Sequence, residues 1–205
     1  MTLDVRDRII QEHAPTVMAP SFTPLPPLGR PGHRFIVEHA RLSLEVVRPW
    51  LHLVWPITEQ GAFATTLPYG LVEQRVSLAF KLPKDLLQQF LEAAKKCAPF
   101  EHAAWFIWND AEKRLEYREL DITEFGNASV TYHRPALAPH ESLAVDLHSH
   151  GEGPAGFSAI DDADDAGEVK VSVVVGNLRE GAEPSWALRL CALGVYLPLP
   201  SPKGL

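Results

Sequence analysis

The chain has 205 residues, 46% of them hydrophobic, with a formal net charge of -7 and a pI near 5.7. That length and apolar content support one large domain, or one domain with an extension, around a real core. Net acidity without a Lys/Arg run excludes the electrostatic footprint of a nucleic-acid binder, and no stretch approaches the roughly 20 uninterrupted apolar residues that span a bilayer. No signal-peptide core opens the chain, and the two cysteines, Cys97 and Cys191, make neither a disulfide framework nor a Cys-Cys zinc knuckle. The expectation is a cytoplasmic protein without a direct nucleic-acid or membrane partner, its thiols behaving as small hydrophobes.

Residues 1–14 are polar with apolar Leu3, Val5, Ile9 and Ile10 and read as a short helix or a fraying end. Pro15 to Pro31 is dense in proline, so residues 1–33 form a flexible, extended connector. Residues 34–83 read as a β-rich extension, with strands at Arg34 to Glu38, Leu42 to Val47, Leu51 to Pro56 and Val76 to Leu82 in an antiparallel layer. Trp50, Trp55, His33, His39 and His52 lie there without metal-ligand spacing and are read as packing residues.

From Lys84 the period changes. Leu86, Leu87, Phe90, Leu91, Ala94 and Cys97 recur at three and four residue steps, one face of an amphipathic helix ended by Pro99. Glu101 then opens an apolar run to Trp108 that reads as a buried strand, paired across Asn109-Asp110 with Leu115 to Leu120. Further strands are expected at Ala128 to Tyr132, Leu143 to Leu147, Val169 to Val175 and Trp186 to Leu193, with a turn at Gly176-Asn177. Helix and strands are mixed rather than alternating, which predicts an α/β sandwich around a mixed sheet over residues 84–198. The proline-rich end, with residues 199–205 as a tail, closes the domain without an element of its own.

The chemistry concentrates between Val145 and Asp165. His148 and His150, two apart at the end of an apolar strand, project to one face as a pair of nitrogen ligands. A Gly-rich turn follows, and Ser158 with Asp161 three residues on reads as the first turn of a helix, where a carboxylate is favoured. Two His and one carboxylate describe a zinc site with a position open for water, whose pKa such a metal lowers to about 7. Asp162, Asp164 and Asp165 compete with Asp161 for the metal; spacing favours Asp161 and leaves the others on a solvated acidic face. Glu101 is the candidate base, approaching from a neighbouring strand while unligated. Ser158 is the candidate oxyanion donor, a role compatible with capping the helix. Asp146, on the histidines' strand face, can orient one of them or make a plain polar contact, and neither it nor His140 enters the catalytic set.

The pattern His148-Ser-His150, seven residues, Ser158, two residues, Asp161 resembles the signature of the JAMM metalloproteases, the JAB1/MPN domain. Glu101-His-Ala-Ala104 before Trp-Phe-Ile resembles that family's Glu-x-x-Gly at the head of a strand after a helix, with Ala104 in the glycine's place. The resemblance spans roughly Lys84 to Pro198. It implies a zinc peptidase or isopeptidase of cytidine-deaminase-like α/β architecture, with Zn2+ on His148, His150 and Asp161 and catalysis by Glu101 and Ser158. Gly151 stands where many members have proline, and the short chain between Gly176 and Ser185 leaves little room for a ubiquitin-gripping insertion. A β-rich extension joined to this core is similar to the JAMM proteins of plasmid-borne PRTRC cassettes. That similarity implies a peptide or ubiquitin-like protein as substrate, cut after a Gly-rich tail, and a ThiF-like activating enzyme as partner.

Other readings fall short. Asp162 to Gly167 resembles the start of an EF-hand, but Ala166 occupies a ligand position and Val173 stands in place of the bidentate Glu. A deaminase would need Pro-Cys-x-x-Cys, which is absent. The opposing class is a non-catalytic scaffold or binding module in a plasmid-maintenance assembly.

Overall fold

The computed structural model describes residues 3–125, 130–202 and 204. It divides into two compact units, Met1–Ala79 and Phe80–Leu205. Together they are mixed α/β, built mostly of strands.

The first unit holds helix α1 (Val5–His13) and strands β1 (Thr16–Met18), β2 (Gly32–Val37), β3 (Leu42–Arg48), β4 (Leu51–Pro56) and β5 (Arg75–Leu78). They form one five-stranded sheet in the order β1-β2-β3-β4-β5. Residues 1–33, expected as a flexible connector, instead contain a helix capped by the Asp4 side chain and a strand paired parallel to β2, Thr16 opposite Phe35. The helix is one of the two readings given for residues 1–14; proline density hid the strand, because the prolines cluster after Met18 and leave the amides of β1 free to join the ladder. The sheet carries a charged interior. Glu38 is fully buried, taking both Arg41 nitrogens, the Ser43 hydroxyl and the Val72 amide at 2.9 Å. Glu45 pairs with Arg34 at 2.5 Å and His52 at 2.9 Å.

The second unit begins with helix α2 (Lys84–Cys97), followed by β6 (Ala103–Asn109), β7 (Arg114–Glu119), β8 (Asp121–Phe125), β9 (Val130–His133), β10 (Glu141–Ser149), α3 (Ala159–Asp165), β11 (Val169–Gly176), β12 (Ser185–Ala192) and β13 (Val195–Leu199). Six strands form a mixed sheet in the order β13-β12-β11-β10-β6-β7, and β8 and β9 pair separately. Only β10 and β11 run parallel in the large sheet. Residues 128 and 129 of the strand expected at Ala128 to Tyr132 lie outside the described residues. β8 and β13 were not expected: β13 crosses from the sandwich region into the tail and includes Pro198, tolerable because it is an edge strand whose outer side needs no ladder bond.

The α2 sequence places Asp85 in the first turn and Lys95 and Lys96 in the last, matching the helix dipole, and buries Leu87, Phe90, Leu91 and Ala94. Phe90 stacks on His102 at 5.7 Å between ring centroids, so α2 covers the sheet face of the even-numbered β6 residues. On the opposite face Ala103, Trp105, Ile107 and Leu120 form a second apolar cluster under Tyr132, Leu137 and Leu143. With both faces covered, every β6 residue is buried, which is why the run reads as continuously apolar. Phe90→Ala is expected to cost about 3–5 kcal/mol, and Gln89→Ala on the exposed face less than about 0.5 kcal/mol, both read from urea denaturation midpoints.

Candidate metal centre

Partners across a ladder share a face, so the register writes out the site. One row across the sheet is Trp105, Asp146, Ser172 and Arg189; the next is Ala103, His148, Val174 and Ala187. Beyond Ala103, the Ser149 amide donates to the His102 carbonyl at 2.8 Å and the His102 amide to Ser149 Oγ at 2.9 Å. Glu101, two residues before β6, lines the same cavity as His148 and His150. The two imidazoles meet with their Nε2 atoms 3.2 Å apart.

Past β10 the chain is pinned. The His150 amide donates to the Val175 carbonyl at 2.8 Å and the Leu178 amide to the Gly151 carbonyl at 2.9 Å. Gly151 has φ of +51°, and a Cβ there would lie 2.2 Å from the Pro99 carbonyl oxygen. This accounts for the departure at Gly151: the loop turns through the left-handed region against backbone, which excludes proline and every other side chain. The His150 Nδ1 faces the Pro154 carbonyl at 3.2 Å; donation there places the ring's proton on Nδ1 and leaves the Nε2 lone pair free.

Ser158 caps α3. Its hydroxyl accepts from the Asp161 amide at 3.3 Å and donates to Asp161 Oδ2 at 2.7 Å, while the Ser158 amide donates to the same oxygen at 2.6 Å. This reciprocal capping box turns Asp161 Oδ1 toward His148 Nε2, 3.2 Å away. His148, His150 and Asp161 are the group of potential ligands found among the described residues, their ligand atoms all within 4.8 Å of one another. Two imidazole nitrogens and one carboxylate oxygen aimed at a common point fit a zinc ion with an open coordination position. They line a cavity of about 120 Å³ together with Glu101, Ser158 and Ala103.

Burial sets the protonation states. It holds His148 below the ordinary imidazole range, against the pull of Asp161, so this ring stays neutral at pH 7, the form that ligates. Glu101 is 5% exposed, and burial pushes its carboxyl up; the proximity of His150 lowers it and that of Asp161 raises it further.

Of the acidic run after Asp161, Asp162 and Asp164 lie on the expected solvated face, whereas Asp165 does not. Asp165 is 3% exposed and accepts from Ser172 Oγ at 2.8 Å, Arg189 Nη2 at 2.7 Å and Lys170 Nζ at 2.9 Å. Asp162 pairs with Arg189 at 2.5 Å, while Asp164 remains exposed. Asp146 gives its oxygens to Trp105 Nε1 at 3.1 Å and Lys170 Nζ at 2.6 Å. Cys191 does not sit in apolar surroundings: its Sγ lies 3.2 Å from Asp165, and its thiol is pushed up to about 12, chiefly by burial. Burial alone would lower the Lys170 ammonium, yet Asp146 and Asp165 raise it, so it is charged at neutral pH. Lys170, Ser172 and Arg189 were missed in the sequence, although a lysine and a serine on one face of the valine-rich Val169 to Val175 strand are the signal that would have found the first two.

A family model described as prokaryotic homologs of the JAB domain matches residues 83–190. The chain belongs to this family. A second model, described as a domain of unknown function, DUF2016, matches residues 4–79. No curated protein matches the chain. Among solved structures, the solution structure of protein DSY2949 from Desulfitobacterium hafniense is similar at a TM-score of 0.38 and 15% identity, covering 52% of this chain and 80% of that one. Among the described residues, no helix is long and apolar enough to cross a membrane.

Within this JAB domain, Gly151→Ala is expected to destabilise by more than about 1 kcal/mol from the left-handed backbone alone, and Gly151→Pro by more still, both measured by denaturant unfolding. Glu101→Gln tests the buried carboxyl. Because the folded-state pKa is raised, the stability lost to ionising Glu101 appears as pH rises through that value and is absent below the unfolded carboxylate range. In metal-free protein Glu101→Gln therefore melts higher than wild type at pH 7, and the gap closes as pH falls below about 4.

Proposed function

We propose that this chain is a zinc-dependent peptidase or isopeptidase of the JAMM type, on a cytidine-deaminase-like sandwich. Its substrate is a peptide or isopeptide bond at the C-terminal tail of a ubiquitin-like protein. The observation that carries the reading is the convergence of His148, His150 and Asp161 on one point, in a cavity that Glu101 and Ser158 also line. Those three residues would hold the zinc, which when bound supplies a Lewis acid that polarises a carbonyl and acidifies water.

The chain's own groups do the rest. Glu101 takes a proton from the attacking water and delivers it to the leaving amine; a carboxyl whose proton affinity is raised by burial suits both steps near neutral pH. Ser158 Oγ, now donating to Asp161 Oδ2, turns its hydroxyl to the carbonyl oxygen of the substrate as charge develops there. Its position at the exposed start of α3 leaves it within reach of a bound peptide. The similarity in layout to the cassette-encoded JAMM proteins extends the proposal to a ThiF-like activating enzyme, which would act on the same tail.

The test combines metal analysis with cleavage of a ubiquitin-like protein carrying a short C-terminal extension. Wild type and Glu101→Gln are expected to hold about one zinc per chain, with cleavage only by wild type. Ser158→Ala should lose on the order of a hundredfold in turnover, and His148→Ala should lose the metal. Absence of zinc from purified wild type would overturn the metal reading, and zinc without cleavage would favour the scaffold.

A further inference from the structure

We propose that the buried charges of Lys170, Asp165 and Arg189 position Asp161 for the metal, because α3 is clamped to the sheet by ion pairs where α2 is held by apolar side chains. The inference rests on the metal reading above and concerns how its third ligand is kept in place.

α3 has seven residues, and the one it buries is Asp165. Its single large apolar side chain, Ile160, is 65% exposed. Hydrophobic burial, the usual force that seats a helix, is therefore missing from the element that carries Asp161. Asp165 lies four residues after Asp161 and so on the same helix face, one turn along. It is gripped from two strands: Lys170 and Ser172 on β11, Arg189 and Cys191 on β12. Lys170 joins it to Asp146, two residues before His148 on the same strand face. One ammonium thus spans the helix bearing the carboxylate ligand and the strand bearing the imidazole ligands.

Arg189 makes the second clamp. Its guanidinium reaches both Asp165 and Asp162 and is sandwiched between the rings of Phe157 and Tyr196, at 3.9 and 4.3 Å. The Tyr196 hydroxyl donates to the Asp162 carbonyl at 2.8 Å. Phe157 directly precedes Ser158, so the same cation braces the chain on either side of the capping box. The charges hold well because they are dry: Asp165, Lys170 and Arg189 are 3%, 4% and 7% exposed, where ion pairs are little screened.

A network that served stability alone would affect metal binding without reference to Asp161; a positioning network acts through it. Zinc affinity is therefore measured by competition with a chromophoric chelator in wild type, Asp165→Asn, Asp161→Ala and the double variant, with thermal melts to verify folding. Asp165→Asn is expected to weaken zinc binding about ten- to hundredfold, and the same substitution to change affinity by less than about twofold once Asp161 is alanine. Unchanged affinity in Asp165→Asn, or an equal loss in both backgrounds, overturns the proposal while leaving the metal site standing. Wild type that binds no zinc overturns both. Arg189→Lys keeps the positive charge but gives up the fork that grips Asp162 and Asp165 together, so it covers the case in which Asp165→Asn fails to fold. It should weaken zinc by at least about twofold, and no change would likewise overturn the clamp.

Discussion

The pairing of β10 between an antiparallel neighbour, β6, and a parallel one, β11, is the constraint on which the candidate site depends. Side chains alternate with a period of two, so a slip of one residue in either ladder would carry His148 to the α2 side and bring Leu147 or Ser149 to the cavity. The register is defended from both faces. Leu147 and Val145 are fully buried on one side, and Asp146 is tied to Trp105 and Lys170 on the other. Ser149, the residue between the two histidines, adds a lock of its own by accepting the His102 amide. The geometry of the candidate site and sheet specification are in this sense one problem solved once.

A second constraint is polar. The face that holds the site crosses four strands with Trp105, Asp146, Ser172 and Arg189 in one row, beneath a helix with almost nothing apolar to offer. Buried charge is costly unless paired, and here each member has partners of opposite sign or a donor in hand. Asp165 shows the balance: burial would raise its carboxyl, yet the Lys170 charge and hydrogen bonds from Lys170, Arg189 and Ser172 hold it below the usual range. The apolar side of the same sheet, under α2, is conventional by comparison.

Much of this was legible in the sequence, and for definable reasons. The α2 boundaries, the strand after Glu101 and the cap at Ser158 follow from local rules of period and capping, and the structure has α2 at Lys84–Cys97 and α3 opening after Ser158. What could not be read depended on contacts distant in sequence. β1 exists because Phe35 lies beside Thr16. Asp165 is buried because Arg189, far along the chain, folds over it. Gly151 looked like a departure from a pattern, and only the nearness of the Pro99 carbonyl shows it as a requirement. Lys170 stood in plain view inside a valine-rich strand, but an isolated charge does not announce its partners.

The capping box of α3 has a thermodynamic meaning beyond geometry. One carboxylate serves two masters: Asp161 Oδ2 closes the helix by taking the Ser158 amide and hydroxyl, while Oδ1 faces the histidines. Nucleating the helix and presenting the ligand are therefore a single equilibrium. Any cation captured at Oδ1 favours the capped helix over the frayed one, and by reciprocity whatever steadies the cap raises affinity for the cation by the same factor. The first turn of α3 and the candidate cation site are thereby thermodynamically linked.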